Sequence, residues 1–594
     1  MDLDRISGMY SFTSVKALCT AFLNGEIPSN VKAMTTGYYE NSTIGGCTYL
    51  LRDAIIPIAR PSPSGGKFIH VGDGGLFLEA LFGSSGGYAS QFGATNTNDL
   101  GKILSIAQEN QKLINLDEMH FAIKTPFLVK EGVRLIGAGA QIPKGHYESG
   151  SMLLNNTSEI TIAAEGTWSG FNSRRFIELS EFSILSNGIP TPDGIVQEVA
   201  PATIYCDFLT IFDMRKIIIY GNSVYHLHLI NSYNGTLRDS RFYGARVANM
   251  YITTDPTASV FSGQMLIENV DFWTARNEND DAAGTLIDKT ANLMEQIQFN
   301  KCHWQDSDIG LWIKAGGEKT LIAAHFEANH QYDLLVESNA DNPKILSGFC
   351  NNALTTLSSF KIGGRDGCIK QFDFINVDND AWCIDITKTC DGLVVDGVTI
   401  TQKSGASTKG IKVAGKNITI KNIKCFSGGS PSSWNVITFT STAKNIYVKN
   451  VVTENFGPAI PMIDEGATNI VFEGAQTFVS AEFDLDGDPA DDTVFTDISG
   501  YVNRAWLVYN SSTGNGSAAI SVGRSTSPGH RDYPRYVSQQ TTPNALQHTR
   551  EKLKINKSAY FAASDALVFR CAGKSKAYGR IKIIVEITPF RALT

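Results

Sequence analysis

Several outward side chains recur at matching offsets along the chain, and their chemical types suit the binding and cleavage of a polysaccharide. The set consists of two aromatic residues, two arginines, two histidines and three carboxyls: Tyr243, Trp273, Arg246, Arg276, His303, His325, Asp306, Asp308 and Glu327. A sugar ring packs on the flat face of an aromatic ring, and arginine binds a sugar carboxylate through two hydrogen bonds. Two carboxyls can hydrolyse a glycosidic bond at a separation of about 5 Å for retention, or roughly 6.5–9.5 Å for inversion.

Glu327, together with Asp306 or Asp308, is the predicted catalytic pair. One carboxylic acid would protonate the leaving oxygen, while the other carboxylate would activate water or attack the anomeric carbon. His303 and His325 would orient these carboxyls or tune their pKa values. Each residue also has a structural interpretation, because outward Asp and His often satisfy backbone groups at the bends of a β solenoid. The spacing does not choose between retention and inversion.

Trp273 is the strongest predicted sugar-binding residue. An outward tryptophan is costly to expose without a partner, and that partner is either a sugar or a neighbouring subunit. The bend that follows, Ala275–Gly284, carries further carboxyls at Glu278, Asp280 and Asp281. These are interpreted as solvated loop charges, or as charges that overhang the groove.

The matching offsets come from a loose repeat of about twenty to thirty residues, which is the range typical of solenoids. Its clearest copies are Ile267–Asn277, Phe299–Asp308, Ile322–Gln331, Ile345–Leu354, Ile369–Asp378, Ile418–Ser427 and Ile446–Asn455. Each copy is an alternating β run, a polar bend and another β run. One copy cannot bury its own apolar face, so the copies must stack. The sequence therefore predicts an all-β, right-handed parallel β-helix.

A register for this β-helix follows from its large apolar residues. The predicted inward positions are Phe242, Phe272, Trp304, Phe326, Phe349 and Phe374, and the residues two before them are Ser240, Val270, Cys302, Ala324, Ser347 and Phe372. Most of these can pack inward, whereas a slip by one residue would bury charge. Side chains alternate along a strand, so the neighbours of each inward residue point outward and line up along the solenoid.

Four regions are predicted along the chain. Residues 1–95 are expected to be irregular apart from a short helix at Val15–Leu23, and residues 96–131 are expected to hold a capping helix at Leu100–Leu113, with Asn98 or Asp99 at its start. The β-helix is placed at 132–478, with a first coil at Gly132–Gly145, and an antiparallel β-sandwich at 479–594.

Composition excludes several classes of protein. The net charge is −8, which argues against nucleic acid as a partner. The ten cysteines form no C-x-x-C pair, so they are expected to be reduced thiols in a protein made in a cytosol. No signal peptide and no run of eighteen apolar residues is found, so neither export nor a membrane span is expected.

No metal or cofactor is expected either. The two imidazoles of His226 and His228 share one strand face but lack an evident third ligand. The acidic stretch Glu482–Asp492 includes DLDGDPADD, which resembles the start of a calcium loop but departs from it at Pro489 and Phe495. It is interpreted as an acidic linker or a weak structural cation site.

Three short motifs resemble bacteriophage tailspikes, specifically capsule depolymerases with a pectate-lyase-like β-helix. They are GYYENSTIGGCTYLL at Gly37–Leu51, FGATNTND at Phe92–Asp99 followed by a helix, and FEAN at Phe326–Asn329. The resemblance implies a homotrimer that binds and cleaves bacterial capsular polysaccharide, with a C-terminal sandwich that aids trimerisation and contacts glycan. It also implies a virion protein that is synthesised in the host cytoplasm.

The N-terminal region is short for a virion anchor, so attachment through another tail protein is expected. The resemblance supplies no catalytic residues, because such spikes place theirs differently from one another. Three functions therefore stay open. Hydrolysis of a capsule is the main expectation, β-elimination beside a uronate is the second, and a purely adhesive spike is the third.

Overall fold

The structure is a computed structural model of the 594-residue chain. It describes residues 5–473, apart from short gaps, and the strands between residues 476 and 592. The gaps are 7–8, 41–44, 54–67, 73–74, 83–85, 110, 141–149, 166–175, 188, 191–195, 256–261, 277–280, 290–293, 342, 352–353, 356, 378–380, 403–408, 428–435, 455–461 and 465–466. The chain divides into two compact units, Met1–Ala324 and His325–Thr594.

A six-stranded sheet forms the N-terminal part of the first unit. Its strands, in spatial order, are Arg5–Ile6, Met9–Phe12, Lys32–Thr35, Thr48–Asp53, Leu76–Ala80 and Phe68–Val71. The strand Thr48–Asp53 buries Tyr49 and Leu51 at alternate positions, as a half-buried strand must. The prediction that this region is irregular apart from one helix is therefore wrong.

The predicted short helix at Val15–Leu23 is confirmed. Ser14 caps its start, because the Ser14 hydroxyl accepts a hydrogen bond from the Ala17 N–H at 3.1 Å. Leu18 and Phe22 lie on one face of the helix and are buried in the core of the six-stranded sheet.

A 3₁₀ turn at Ala89–Phe92 is followed by a second helix, Leu100–Ala107, which is shorter than predicted. The predicted end falls inside a β-strand, Leu113–Asn115. Asp99 starts the helix without capping it. Its carboxylate instead accepts hydrogen bonds from the N–H groups of residues 124 and 125 and from the Thr125 hydroxyl, at 2.6–3.1 Å. Neither described helix is long and apolar enough to cross a membrane.

The rest of the first unit is a parallel β-helix built from two sheets, here named the bent sheet and the partner sheet. The bent sheet contains Gly87–Tyr88, Leu113–Asn115, His120–Ile123, Arg134–Ile136, Ser151–Asn155, Phe176–Ser186, Ile211–Gly221, Gly235–Arg238, Arg241–Tyr243, Ser262–Glu268, Asp271–Trp273 and Met294–Gln305. The partner sheet contains Phe127–Leu128, Ile162–Glu165, Ala202–Asp207, Tyr225–Ile230, Ala248–Thr253, Ala283–Asp288 and Ile309–Gly316. A small antiparallel pair, Ile189–Pro190 and Val196–Glu198, projects from one coil. The strand Leu321–Glu327 contains the boundary between the two units.

The bent sheet turns once in each coil at a residue with positive φ. These residues are Glu181, Lys216, Asp239, Asn269 and Lys301, with φ between 51° and 62°. Side chains other than glycine and asparagine rarely adopt this conformation. Two contacts between successive bends help to hold it: Lys216 binds Glu181 at 3.1 Å, and Asn269 donates to Asp239 at 2.6 Å.

An aromatic stack fills the interior behind the bent sheet. Phe242, Phe272 and Trp304 pair in register on three successive coils, and their ring centroids lie 5.6 and 5.7 Å apart. The Trp304 indole donates to Thr285 at 2.9 Å. Gly284 backs onto this ring, since a Cβ there would meet Trp304 Cδ1 at 2.6 Å. The predicted register is therefore confirmed over these three coils.

The second unit also carries a bent sheet and a partner sheet of parallel strands. The bent sheet contains Lys344–Asn351, Arg365–Lys370, Phe372–Val377, Asp391–Asp396, Thr399–Gln402, Lys416–Ser427, Lys444–Glu454, Thr468–Phe472 and Arg591–Ala592. The partner sheet contains Tyr332–Ala340, Ser358–Ile362, Trp382–Ile386, Lys409–Val413, Ile437–Phe439 and Met462–Asp464. The fold is thus a parallel β-helix, as the repeat predicted.

The predicted register is wrong at one coil of the second unit. Phe349 is 39% exposed, while the next residue, Cys350, is fully buried and pairs with Phe374. Ser347, predicted to point inward, is exposed. The small thiol of Cys350 takes the inward position because two large rings, Phe372 and Phe374, already fill that layer.

Asparagine side chains line one bend of the second unit. Asn469 donates to Asn445 at 2.9 Å, Asn445 donates to Asn417 at 3.0 Å, and Asn417 donates to Asp391 at 2.7 Å. All three asparagines have positive φ, the conformation that asparagine tolerates best after glycine. The ladder therefore links four coils in register at their surface.

The nine cysteines whose side chains the structure describes are all free. Cys302 and Cys425 are each 1% exposed, as predicted for core positions. Burial raises the pKa of the Cys302 thiol to about 12, so this thiol stays protonated and packs as a small apolar group.

Two antiparallel sheets follow the β-helix. The first contains Gln476–Val479, Phe483–Asp484, Gly500–Thr513, Arg550–Lys552, Tyr560–Phe561 and Tyr578–Thr588, and the second contains Asp491–Phe495, Ser517–Ser525, Arg535–Thr541 and Ala566–Ser575. This is the two-sheet arrangement that the alternating runs of the C-terminal tail predicted. Most of DLDGDPADD lies outside the described residues.

Candidate functional site

An aromatic row crosses three successive coils on the outer face of the bent sheet in the first unit. Tyr220, Tyr243 and Trp273 pair in register, with ring centroids 5.5 and 5.0 Å apart. The rings point outward because the residues before Tyr243 and Trp273 belong to the interior stack. Tyr243 is only 8% exposed, however, since it lies between the other two rings. The accessible aromatic surface therefore comes from Tyr220, which is 40% exposed, and from half-buried Trp273.

A charged row runs beside the aromatic row, two residues before Tyr243 and Trp273, and continues to His303 on the next coil. Arg241, Asp271 and His303 pair in register. The Arg241 guanidinium lies 3.0 Å from the Asp271 carboxylate, and His303 Nδ1 lies 3.8 Å from the other oxygen of Asp271. Burial raises the pKa of Asp271, although the Arg241 charge opposes the shift. Burial also lowers the pKa of His303 to about 4, so its imidazole is neutral near pH 7.

Trp273 joins the two rows. Its ring meets the Tyr243 ring edge-to-face at 5.0 Å and the His303 ring edge-to-face at 6.0 Å. Among the described residues, the Trp273 Nε1–H has no hydrogen-bond partner although the atom is buried from water. Buried indole N–H groups usually find a partner, so Trp273 is held here by its ring contacts and not by a hydrogen bond to a described residue.

The structure brings two of the predicted site residues, Asp306 and Arg276, into an ion pair. Asp306 has a φ of 56° and lies at the bend that follows the strand. Arg276 binds both the Asp306 carboxylate and, at 3.0 Å, its backbone carbonyl. The Thr274 hydroxyl lies 3.5 Å from the same carboxylate. These contacts are the bend-stabilising interactions of the structural interpretation, and they occupy both predicted residues.

Asp308 and Arg246 likewise contact the protein itself. The Asp308 carboxylate accepts a hydrogen bond from the Ala282 N–H at 3.3 Å. Glu278 and Asp280, two of the predicted loop carboxyls, lie outside the described residues. Arg246 Nε donates to Asn222 at 3.0 Å on the preceding coil. Both side chains are half-buried and help to hold the turns beside the aromatic row.

His325 and Glu327 lie in the second unit. His325 Nε2 is 3.7 Å from a Glu327 carboxylate oxygen, and the His325 ring stacks on Phe349 with centroids 3.9 Å apart. Phe349 therefore has an outward role that the predicted register did not give it. The separation between Glu327 and the aspartates of the first unit stays a prediction.

Sequence reasoning missed three residues of this surface, Tyr220, Arg241 and Asp271. Tyr220 follows Ile219, which carries no ring, so its coil did not match the aromatic pattern. Asp271 lies just before the inward residue Phe272 and so was expected to point outward, but its ion pair with Arg241 joins two coils and is not visible in one segment. Its position two residues before an outward tryptophan is the signal that was available.

A second group of carboxyls, also missed, lies on the outer face of the partner sheet. Glu165 and Asp207 pair in register on adjacent coils. Burial raises the pKa of Asp207 to about 6. A hydrogen bond from Asn231 at 3.3 Å opposes this rise, whereas the charges of Asp255 and Glu165 increase it. A half-buried carboxyl that holds its proton to this pH is a candidate proton donor.

We expect the Asp207 carboxyl to make stability fall as pH rises from about 4 to 6. The unfolded chain releases this proton near its ordinary pKa, whereas the folded protein keeps it until about pH 6, so the folded state loses relative stability across that window and stays at the lower level above it. A shift of about two units corresponds to about 3 kcal/mol, and we reduce this to about 1 kcal/mol because the carboxyl is half in water.

Asp207→Asn should therefore raise the melting temperature at pH 8 and leave it unchanged at pH 4. Differential scanning calorimetry at both pH values measures the melting temperatures. The control is Glu131→Gln, which changes an exposed surface carboxyl. Equal melting temperatures for Asp207→Asn and wild type at pH 8 would contradict the raised pKa.

The two histidines of the HLH segment do not face a common ligand site. His226 is fully buried, and burial lowers its pKa to about 3. His228 packs among tyrosine rings on the partner sheet. Among the described residues, no group of three potential metal ligands includes either imidazole.

No family model matches this chain, and no curated protein matches it. Phage tailspikes are among the solved structures to which it is similar. The tailspike protein gp49 of Acinetobacter baumannii bacteriophage Fri1, a capsular polysaccharide depolymerase, is 11% identical, covers 97% of this chain and 97% of its own, and has a TM-score of 0.37. The tailspike of Acinetobacter phage vB_ApiP_P1 is 12% identical, covers 98% of each chain, and has a TM-score of 0.34. PfbA, a surface adhesin of Streptococcus pneumoniae, is 12% identical, covers 65% of this chain and 89% of its own, and has a TM-score of 0.36.

Proposed function

We propose that this protein is a phage receptor-binding tailspike that recognises a bacterial capsular polysaccharide and depolymerises it by hydrolysing glycosidic bonds. The observation that carries the proposal is the pair of adjacent rows on the bent sheet. One row is aromatic and ends at Trp273; the other joins Arg241, Asp271 and His303. Stacking rings beside a cation suit the binding of an acidic sugar, and the desolvated carboxyl beside them suits proton transfer.

Each part of the two rows has a role toward a sugar chain. A pyranose ring packs on the exposed part of the half-buried Trp273 ring. Arg241, with nearly half of its side chain exposed, binds a uronate or pyruvate carboxylate. Arg246 and Arg276 bind the neighbouring sugars when they exchange their internal partners, Asn222 and Asp306, for the ligand.

The proposed catalytic carboxyls are Glu327 with Asp306 or Asp308, and the structure adds Asp271 as a further candidate. A general acid must hold its proton near the working pH. The direction of the Asp271 pKa shift favours that state, whereas the Asp306 carboxylate is occupied by Arg276 at the bend. Asp271 therefore suits the role of acid, and the remaining carboxyls suit the role of base or nucleophile.

The test is size analysis of purified capsules from a panel of encapsulated bacteria after treatment with the full chain. We expect wild type to shorten at least one capsule. Loss of the true acid or base should slow the shortening by about 10²–10⁴-fold, and this is measured for Glu327→Gln, Asp306→Asn, Asp308→Asn and Asp271→Asn, with Glu131→Gln as the matched surface control. Trp273→Ala should weaken binding of the same capsule.

The outcomes separate the function from the site. Capsule that keeps its length with wild type throughout the panel would overturn hydrolysis. Shortening by all four carboxyl variants at the wild-type rate would leave the function standing and remove every proposed catalytic residue.

Lyase chemistry is the second candidate, and the neutral imidazole of His303 beside the Arg241–Asp271 pair favours it. In β-elimination a base takes the proton α to a uronate carboxylate while cations stabilise the developing enolate. Elimination leaves an unsaturated sugar that absorbs in the near ultraviolet, whereas hydrolysis adds one water to each product. Absorbance and product mass therefore distinguish the two reactions.

Assembly on the virion is part of the same proposal. The chain would form a homotrimer, the C-terminal sheets would aid trimerisation and contact glycan, and the N-terminal six-stranded sheet would attach to the phage tail or to another tail protein. Light scattering of the purified chain should then give about three times its 64.6 kDa mass. A purely adhesive spike is the alternative, in which capsule binds at full length and Glu327→Gln changes nothing.

A further inference from the structure

A second stack of rings lies on the partner sheet of the first unit, away from the rows described above. Tyr205, His228 and Tyr251 pair in register on three successive coils. Their centroids lie 5.4 and 4.7 Å apart, and the Tyr225 ring packs against His228 at 4.9 Å and Tyr251 at 4.8 Å. All four residues are half-buried, so part of each ring in the stack faces solvent.

The histidine in this stack acts as a neutral aromatic ring. Burial lowers the pKa of His228 to about 4, which leaves the imidazole uncharged near pH 7. Its Nε2 is buried and has no hydrogen-bond partner in the part of the chain that the structure describes. A neutral ring between two tyrosines extends their apolar surface.

Carboxyls lie at one edge of the stack. Tyr205 is two residues before Asp207 on one strand, and Glu165 pairs with Asp207 on the adjacent coil. The charges of Asp207, Glu165 and Asp255 all act on the Tyr205 hydroxyl and, after burial, contribute to raising the pKa of Tyr205 to about 12. Carboxylates accept hydrogen bonds from hydroxyls but repel other anions.

We propose that this surface, formed by Tyr205, Tyr225, His228 and Tyr251 with Asp207 and Glu165 at its edge, binds an uncharged sugar residue of a glycan. The rings supply a stacking platform, and the two carboxyls accept hydrogen bonds from sugar hydroxyls. The surface is distinct from the rows of the bent sheet, where Arg241 favours an acidic sugar. The inference therefore goes beyond the proposed depolymerase and does not depend on cleavage.

Charge complementarity selects this occupant. A uronate would place its carboxylate beside Glu165 and Asp207, and like charges at contact distance are repulsive. A protein partner would need a broad patch of about 800 Å² on each side, whereas four rings with a carboxyl edge match the size of one or two sugars. The chain would thus hold a glycan at two places that differ in charge preference.

The test measures binding of four hexasaccharides to the full chain by saturation-transfer NMR and calorimetry. Cellohexaose, maltohexaose and hexa-N-acetylchitohexaose are the uncharged probes, and hexagalacturonate is the acidic comparator. We expect at least one uncharged probe to bind, and Tyr205→Ala and Tyr251→Ala to weaken that binding about tenfold or more. Asp207→Asn should also weaken it, and Tyr88→Ala, which removes an exposed tyrosine elsewhere, should not.

Tyr205→Phe keeps the ring if the alanine variant fails to fold, and it should bind within a few-fold of wild type. The inference is overturned if no uncharged probe binds, or if both tyrosine-to-alanine variants bind as wild type does. It is also overturned if hexagalacturonate binding falls with Tyr205→Ala as much as neutral binding does. Because no capsule is cleaved in these measurements, failure of the depolymerase proposal leaves the result unaffected.

Discussion

Replacing Phe272 with alanine should destabilise the coils of the first unit by about 3–5 kcal/mol, the usual cost of removing a fully buried aromatic ring. Phe272 has no exposed surface and stands between Phe242 and Trp304 in the interior stack. Its loss removes contacts with both neighbours. The solenoid cannot collapse around the space, because the strands on either side are fixed by their ladder hydrogen bonds.

Hydrogen exchange of the strands Asp271–Trp273 and Met294–Gln305 measures this loss, because exchange reports the free energy of local opening. The matched control is Phe349→Ala in the second unit, where the ring is exposed and stacks on His325. We expect a cost of about 1 kcal/mol or less there. Equal losses for the two variants would mean that the inward and outward assignment of these rings is wrong.

The contrast between Phe272 and Phe349 also marks how far the sequence determines the register. Alternation fixes which residues share a face within one strand, and large apolar residues at regular spacing were enough to align Phe242, Phe272 and Trp304. At Phe349 the same rule failed by one residue. Whether a ring or a thiol fills a layer depends on the total volume of the neighbouring coils, which a single segment does not contain.

The sequence likewise predicted one part of the candidate site and missed another. The sequence placed Trp273 and Tyr243 outward on adjacent coils, because that follows from alternation alone. It did not predict that the neighbouring rings cover Tyr243. It also did not predict that Asp306 and Arg276 bind each other, since that ion pair depends on the left-handed bend at Asp306. The acidic partner-sheet surface around Asp207 was missed because its strand has no large inward ring to reveal its register.

The short N-terminal strands were missed for another reason. Segments such as Lys32–Thr35 and Phe68–Val71 have four residues each, too few for periodicity to stand out beside long Gly- and Pro-rich stretches. Their pairing is set by contacts between segments far apart in sequence. Val15–Leu23, in contrast, carries its own local signals, with a serine cap and an apolar face, and was predicted to the residue.

A buried carboxylate near the start of the β-helix provides the second large effect. The Glu178 side chain is only 4% exposed and binds two guanidiniums, from Arg134 on one neighbouring coil and from Arg215 on the other, the latter at 2.6 Å. Both arginines keep about two fifths of their surface in water. Either one alone can still pair the carboxylate, so each single loss is partly compensated.

Removing both arginines should therefore cost more than the sum of the single losses. We expect Arg134→Met and Arg215→Met each to destabilise by about 1 kcal/mol, and the double variant by about 3–5 kcal/mol, because an unpaired charge is then left buried. Adding Glu178→Leu to the double variant should restore most of the stability, since the site then holds only apolar groups of similar volume. Urea unfolding of wild type and the four variants measures the non-additivity. Simple addition of the two single losses, or a triple variant as unstable as the double, would show that Glu178 is solvated by water and not by its two arginines.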